Sequence, residues 1–213
     1  YVKRRRNRRR MAFMRELHRR AEERDLTVEK LSESPPTMFV GSYVVEPDFE
    51  QNLVSITYAR EEVAETELEP AAVLARRDEL ADRRREETVG PDVFFERLRL
   101  AYRLAREARG RGEGERVDLV DLLGPLSLLN SETSAWRDPE RSALDRYPKP
   151  RLAYQLQRLR REGSLQREGT RIDLGTATGG TTDDKADVVF IPSGPGDGQY
   201  YLSVRFVDEK TDE

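Results

Sequence analysis

The sequence predicts an α+β protein. Its N-terminal region reads as helical with a small β-hairpin, and its C-terminal half places helices first and strands afterwards. Three observations predict this. Apolar residues recur at helical spacing through 92–109 and again through 151–163. Apolar and polar residues alternate through 52–58 and 199–207. Gly90-Pro91 separates the two halves and is the clearest boundary in the chain. The expected partition is a basic arm with an amphipathic helix (1–24), a hairpin with a connector helix (25–89) and a C-terminal domain with long inserted loops (90–213).

Residues 8–24 read as the first helix, with Met11, Met14, Leu17 and Ala21 on its apolar stripe. Ser34-Pro35-Pro36 stops any helix before it. Residues 37–45 then read as one strand and 52–58 as another, with Val54, Ile56 and Tyr58 on one face and Pro47-Asp48 in the connection. A lone hairpin is marginal, so it needs a helix or a further strand against it. Residues 60–69 are acidic, through Glu61, Glu62, Glu65, Glu67 and Glu69. Pro70 suits the first turn of a helix reaching about Glu87. Its thin apolar face (Val73, Leu74, Leu80) predicts a connector or partner-binding helix and not a core element.

The helix over 92–109 has a wide stripe of Phe94, Phe95, Leu98, Ala101, Tyr102 and Ala105, with Arg97, Arg99, Arg103 and Arg106 away from it. Gly110, Gly112 and Gly114 end it. Asp118 is placed to cap a short helix through Leu119, Leu122 and Leu123, which Gly124-Pro125 interrupts. Residues 130–148 read as a loop around Trp136. Pro148 and Pro150 open the next helix, whose inner face is Leu152, Leu156 and Leu159, and Gly163 closes it. Extended pieces follow at 164–166, 170–174, 187–191 and 199–207, joined by Gly-, Thr- and Asp-rich tips at 175–184 and 192–198.

This order of helix, short helix, helix and strands resembles the winged helix-turn-helix superfamily over roughly residues 92–207. Arg151-Leu-Ala-Tyr-Gln-Leu-Gln-Arg-Leu-Arg-Arg-Glu-Gly163, followed by Ser164-Leu-Gln-Arg167, is similar to that superfamily's third helix and first wing strand. The resemblance implies a winged-helix-like C-terminal domain whose third helix is a contact surface for DNA or for a protein. With the three leucines inside, Arg151, Tyr154, Arg158 and Arg161 point outward and Gln155 lies at the edge. Arginine and glutamine read base edges, and arginine neutralises phosphate. Arg167 and Arg171 add wing contacts. Residues 130–148 are longer than the superfamily's usual turn, and residues 1–89 resemble no family.

The first ten residues hold seven basic ones, Lys3, Arg4, Arg5, Arg6, Arg8, Arg9 and Arg10, in a protein of net charge -3. Such a run lies along nucleic-acid phosphates or flanks a membrane span on its cytoplasmic side. The chain opens on Tyr1-Val2 and not on Met, which fits the second role if a span precedes Tyr1. In that case the protein sits at the cytoplasmic face of a membrane, its run drawn to anionic lipid. The acidic 60–69 segment and the 70–87 helix would serve a protein partner in a larger assembly. Net charge near neutral is unusual for a DNA-binding domain and requires the two signs to be segregated.

Charged residues make up 37% of the chain and apolar ones 36%, enough for modest cores. Arginine outnumbers lysine heavily, a bias that a GC-rich genome produces as readily as function does. Cysteine is absent, which excludes disulfides, thiolate metal sites and cysteine nucleophiles. The only histidine, His18, has no further nitrogen or sulfur ligand near it in sequence and reads as an exposed helix residue. No nucleophile elbow exists. Gly175–Lys185 lacks the Gly-Lys-Ser/Thr ending of a phosphate loop, and Asp183, Asp184 and Asp187 do not match an EF-hand. No catalysis, cofactor or metal is expected.

Overall fold

The computed structural model describes residues 2–131, 146–178 and 186–208, with side chains from Asn7 onward. The Trp136 loop, Asp183, Asp184 and the acidic C-terminal residues after Asp208 lie outside the described residues. The protein is α+β with two antiparallel sheets. Two compact units divide between Glu87 and Thr88, just before Gly90-Pro91, with the short turn Gly194–Asp197 grouped with the first.

The first unit runs α1 (Val2–Glu22), β1 (Val28–Glu33), β2 (Pro36–Val40), β3 (Tyr43–Asp48), β4 (Leu53–Tyr58), β5 (Glu61–Glu67) and α2 (Pro70–Glu86). Its strands form one antiparallel meander in chain order, five strands where the sequence predicted a two-stranded hairpin. The expected single strand over 37–45 is broken at Gly41, which takes φ +66 and donates its N–H to the Thr27 carbonyl at 2.7 Å. Pro47 is not in the connection. It lies within β3 opposite Val54, beyond the last residue that β3 pairs with β2, so its missing N–H breaks no ladder on that side. The turn falls after Asp48, whose carboxylate accepts from the Glu50 and Gln51 amides at 2.7 and 3.0 Å. The acidic residues of 61–67 occupy the edge strand β5, where charge discourages pairing with another chain.

One core joins both helices to this sheet: Phe13, Leu17 and Ala21 of α1, Met38, Val40, Val45 and Val54 of the sheet, and Val73 and Leu74 of α2. Residues 2–24 are therefore no separate arm. Phe13 takes the place expected for Met11, which is 60% exposed. The connector expectation for α2 is also overturned, because Val73 and Leu74 are fully buried and Leu80 and Ala81 nearly so. Its apolar face is thin in sequence because an arginine completes it. Arg84 lies 5.0 Å from the ring centroids of both Tyr43 and Tyr58, so its stem and guanidinium cover ring surface.

The second unit runs α3 (Pro91–Ala108), β6 (Val117–Asp118), a 3₁₀ turn (Leu119–Leu122), α4 (Leu123–Asn130), α5 (Lys149–Arg161), β7 (Gln166–Arg167), β8 (Thr170–Thr176), β9 (Val189–Pro192) and β10 (Gly198–Asp208). The sheet order is β6-β10-β8-β7, with β9 also paired to β10. All six apolar residues read on the α3 stripe are buried. Phe95 and Tyr102 pack on Phe206 of β10, with ring centroids 5.7 and 5.2 Å apart. Asp118 makes no side-chain cap and pairs in β6 instead. Gly124-Pro125 does not interrupt the helix. It falls in the first turn of α4, where the missing proline N–H has no helical carbonyl to meet. A bulge in β10 between Tyr201 and Ser203 breaks the expected alternation, so Tyr201, Val204 and Phe206 are buried and Leu202 is only half-buried.

Candidate nucleic-acid interface

Local chemistry sets both ends of α5. Pro148 is extended and Pro150 occupies the first turn. Gly163, at φ +68, lets the Gly163 amide reach the Arg160 carbonyl and the Ser164 amide reach the Leu159 carbonyl, which closes the helix. Glu168-Gly169, both at positive φ, then turn β7 into β8 in two residues.

Leu152, Leu156 and Leu159 are fully buried, as expected. Gln155, expected at the edge of the contact face, is only 2% exposed and its Nε2 has no acceptor among the described residues. The buried arc of α5 is wider than its leucines because Ala153 also faces inward and β9 packs against the helix. Gln155 therefore cannot read a base from this position.

The outward arginines are largely engaged within the unit. Arg151 sits 4.6 Å from the ring centroid of buried Tyr147. Arg158 donates to the Val89 carbonyl and to Glu162, each at 3.2 Å. Arg167 pairs with Asp92 in the first turn of α3. Tyr154 is half-buried. Arg161 and Arg171 are exposed. Arg160, which the sequence did not single out, is also exposed, with its guanidinium 5.6 Å from the Tyr201 ring centroid. Only position 160 on the helical wheel could have nominated it.

In the first unit, the helix expected from residue 8 begins earlier, so the basic run forms the opening turns of α1, with Lys3, Arg4, Arg5 and Arg6 on its backbone. Arg8 and Arg9 are exposed and Arg10 is half-buried. Arg9 donates to Asn52 at 2.7 Å. His18 is 3.2 Å from Glu22 on the exposed side of the helix. Among the described residues, no cluster of three metal-ligating side chains exists, and no helix is long and apolar enough to cross a membrane. Compared with protein-family models, with curated proteins and with solved structures, the chain matches none.

Proposed function

We propose that the second unit is a winged-helix-like module and that the protein is a non-enzymatic nucleic-acid-binding protein that holds double-stranded DNA by its phosphates. The order of elements carries this reading. Helices α3, α4 and α5 precede the strand pair β8 and β10, and β6, from between the first two helices, adds to β10 through Val117↔Val204 and Asp118↔Ser203. Arg161 at the end of α5 and Arg171 on β8 carry exposed charge, as does Arg160 next to Arg161.

Base reading is not expected, since Gln155 is buried and Arg151, Arg158 and Arg167 are held by Tyr147, Val89 and Asp92. Binding through phosphates alone is tolerant of sequence and steeply dependent on salt.

Fluorescence anisotropy with a random duplex of about 30 base pairs tests this. Micromolar binding at low salt is expected. Arg161→Glu/Arg171→Glu should weaken it at least tenfold and flatten the log–log salt slope by about 2. No binding at low salt, or equal binding by the double variant, sinks the DNA reading. The α5 face is then a docking surface for a protein, and the run at residues 3–10 is left to an anionic membrane surface.

A further inference from the structure

A cleft of about 590 Å³ opens in the second unit between α3, the Glu113-Gly114 turn and the C-terminal end of β10. Arg99, Arg103 and Arg106 line it from one face of α3, at i, i+4 and i+7, and Arg205 enters from β10. Among the described residues, four guanidinium groups thus meet two carboxylates, Glu113 and Asp208. Asp208 already accepts the Thr170 hydroxyl at 2.8 Å. Arg99 is bonded to Glu96 and Arg205 to Asp173, each at 2.8 Å, which fixes their positions without cancelling their reach into the cleft.

The other two arginines are less committed. Arg103 is exposed and makes no side-chain hydrogen bond or ion pair among the described residues. Arg106 binds Glu107 through Nη2, but its Nε is buried without an acceptor among the described residues, a cost that an oxyanion relieves once the side chain turns toward it. Burial raises the Tyr102 hydroxyl pKa, Arg106 and Arg205 oppose that rise, and Glu113 and Glu115 add to it more weakly, so both cations lie within electrostatic reach of one point on the cleft wall.

The wall also limits what is recognised. Its aromatic residues, Tyr102 and Phe206, are 3% and 8% exposed and packed on each other, so no ring face is offered to a base. The space is many times the roughly 30 Å³ share of a water molecule, and four planar cations present more donors than one tetrahedral anion can accept.

We propose that this cleft binds an oligophosphate group, either a free oligophosphate or the phosphate tail of a small molecule. The inference does not rest on the duplex-binding reading, and either can fail alone. Titration of the full chain with sodium tripolyphosphate, followed by thermal denaturation and calorimetry against sodium chloride of equal ionic strength, is the test. A saturable rise in Tm with one site is expected. Arg103→Glu should bind at least about tenfold more weakly, the scale of one lost charge-assisted hydrogen bond, while keeping the parent Tm without ligand. Arg161→Glu/Arg171→Glu should bind tripolyphosphate like the parent, and Arg103→Glu should bind the duplex like the parent. A Tm that follows ionic strength alone, or full affinity in Arg103→Glu, overturns the site. Loss of duplex binding in Arg103→Glu without saturable tripolyphosphate binding to the parent also overturns it, and assigns the cleft to the nucleic-acid backbone.

Discussion

Asp173 anchors two arginines at once. Its Oδ2 accepts from Arg205 Nε at 2.8 Å and from Arg116 Nη2 at 2.7 Å. The Arg205 hydrogen bond, with help from Arg116, holds the carboxyl below its ordinary pKa against partial burial. A carboxyl whose pKa is depressed on folding contributes stability above its unfolded pKa, about 3.9, and loses it as pH falls through the lower folded value. Asp173→Asn should therefore lower Tm at pH 7, and the gap to the parent should close as pH falls through the lowered folded pKa. Thermal denaturation across pH checks this, and a gap independent of pH would contradict it. At this scale the sequence was least informative. Helical geometry pointed Arg151 and Arg158 outward and the wing offered Arg167, but Tyr147, Val89 and Asp92, which engage them, come from elsewhere in the unit. The arginine cleft was equally hidden. Arg99, Arg103 and Arg106 read as a solvated helix face, and only the fold brings Arg205 to them.

Helix ends obey local chemistry, and two glycines make the point with opposite signs. Gly163 needs its positive φ to close α5, and an added Cβ there would meet nothing, so Gly163→Ala should cost about 1 kcal/mol through backbone strain alone. Gly124 lies in the first turn of α4, also with nothing near its Cβ position and no positive φ. Gly124→Ala should stabilise by about 0.5 kcal/mol. Urea denaturation of the two variants should give shifts of opposite sign, and equal signs would show that cap geometry is not the cause. The same locality made α2, α3 and α5 legible almost to the residue, since prolines open them and Gly163 stops α5. Strands were less legible. β1 carries Glu29, Lys30 and Glu33, and β5 carries four glutamates, so neither has the apolar alternation that identifies a strand. Each is a strand because a neighbour supplies its hydrogen bonds.

Across the whole molecule, two cores serve a chain with few apolar residues for its length. Leu17, fully buried, ties α1 to the first sheet. Leu17→Ala should cost about 3 kcal/mol, and hydrogen exchange should speed up in the strands it packs on. Unchanged protection there would mean that α1 is a peripheral arm after all. The sequence by itself determined the α+β class, the long helices and the absence of cysteine chemistry, because helical periodicity, proline and glycine stops and composition are properties of neighbours along the chain. Only the tertiary structure decided that the basic run belongs to a core-bound helix, that the acidic stretch is an edge strand, that Gln155 is buried, and that arginines distant in sequence share one cleft. Those outcomes depend on which surfaces meet after folding, and a charged residue in sequence carries no mark of the partner that will cover it.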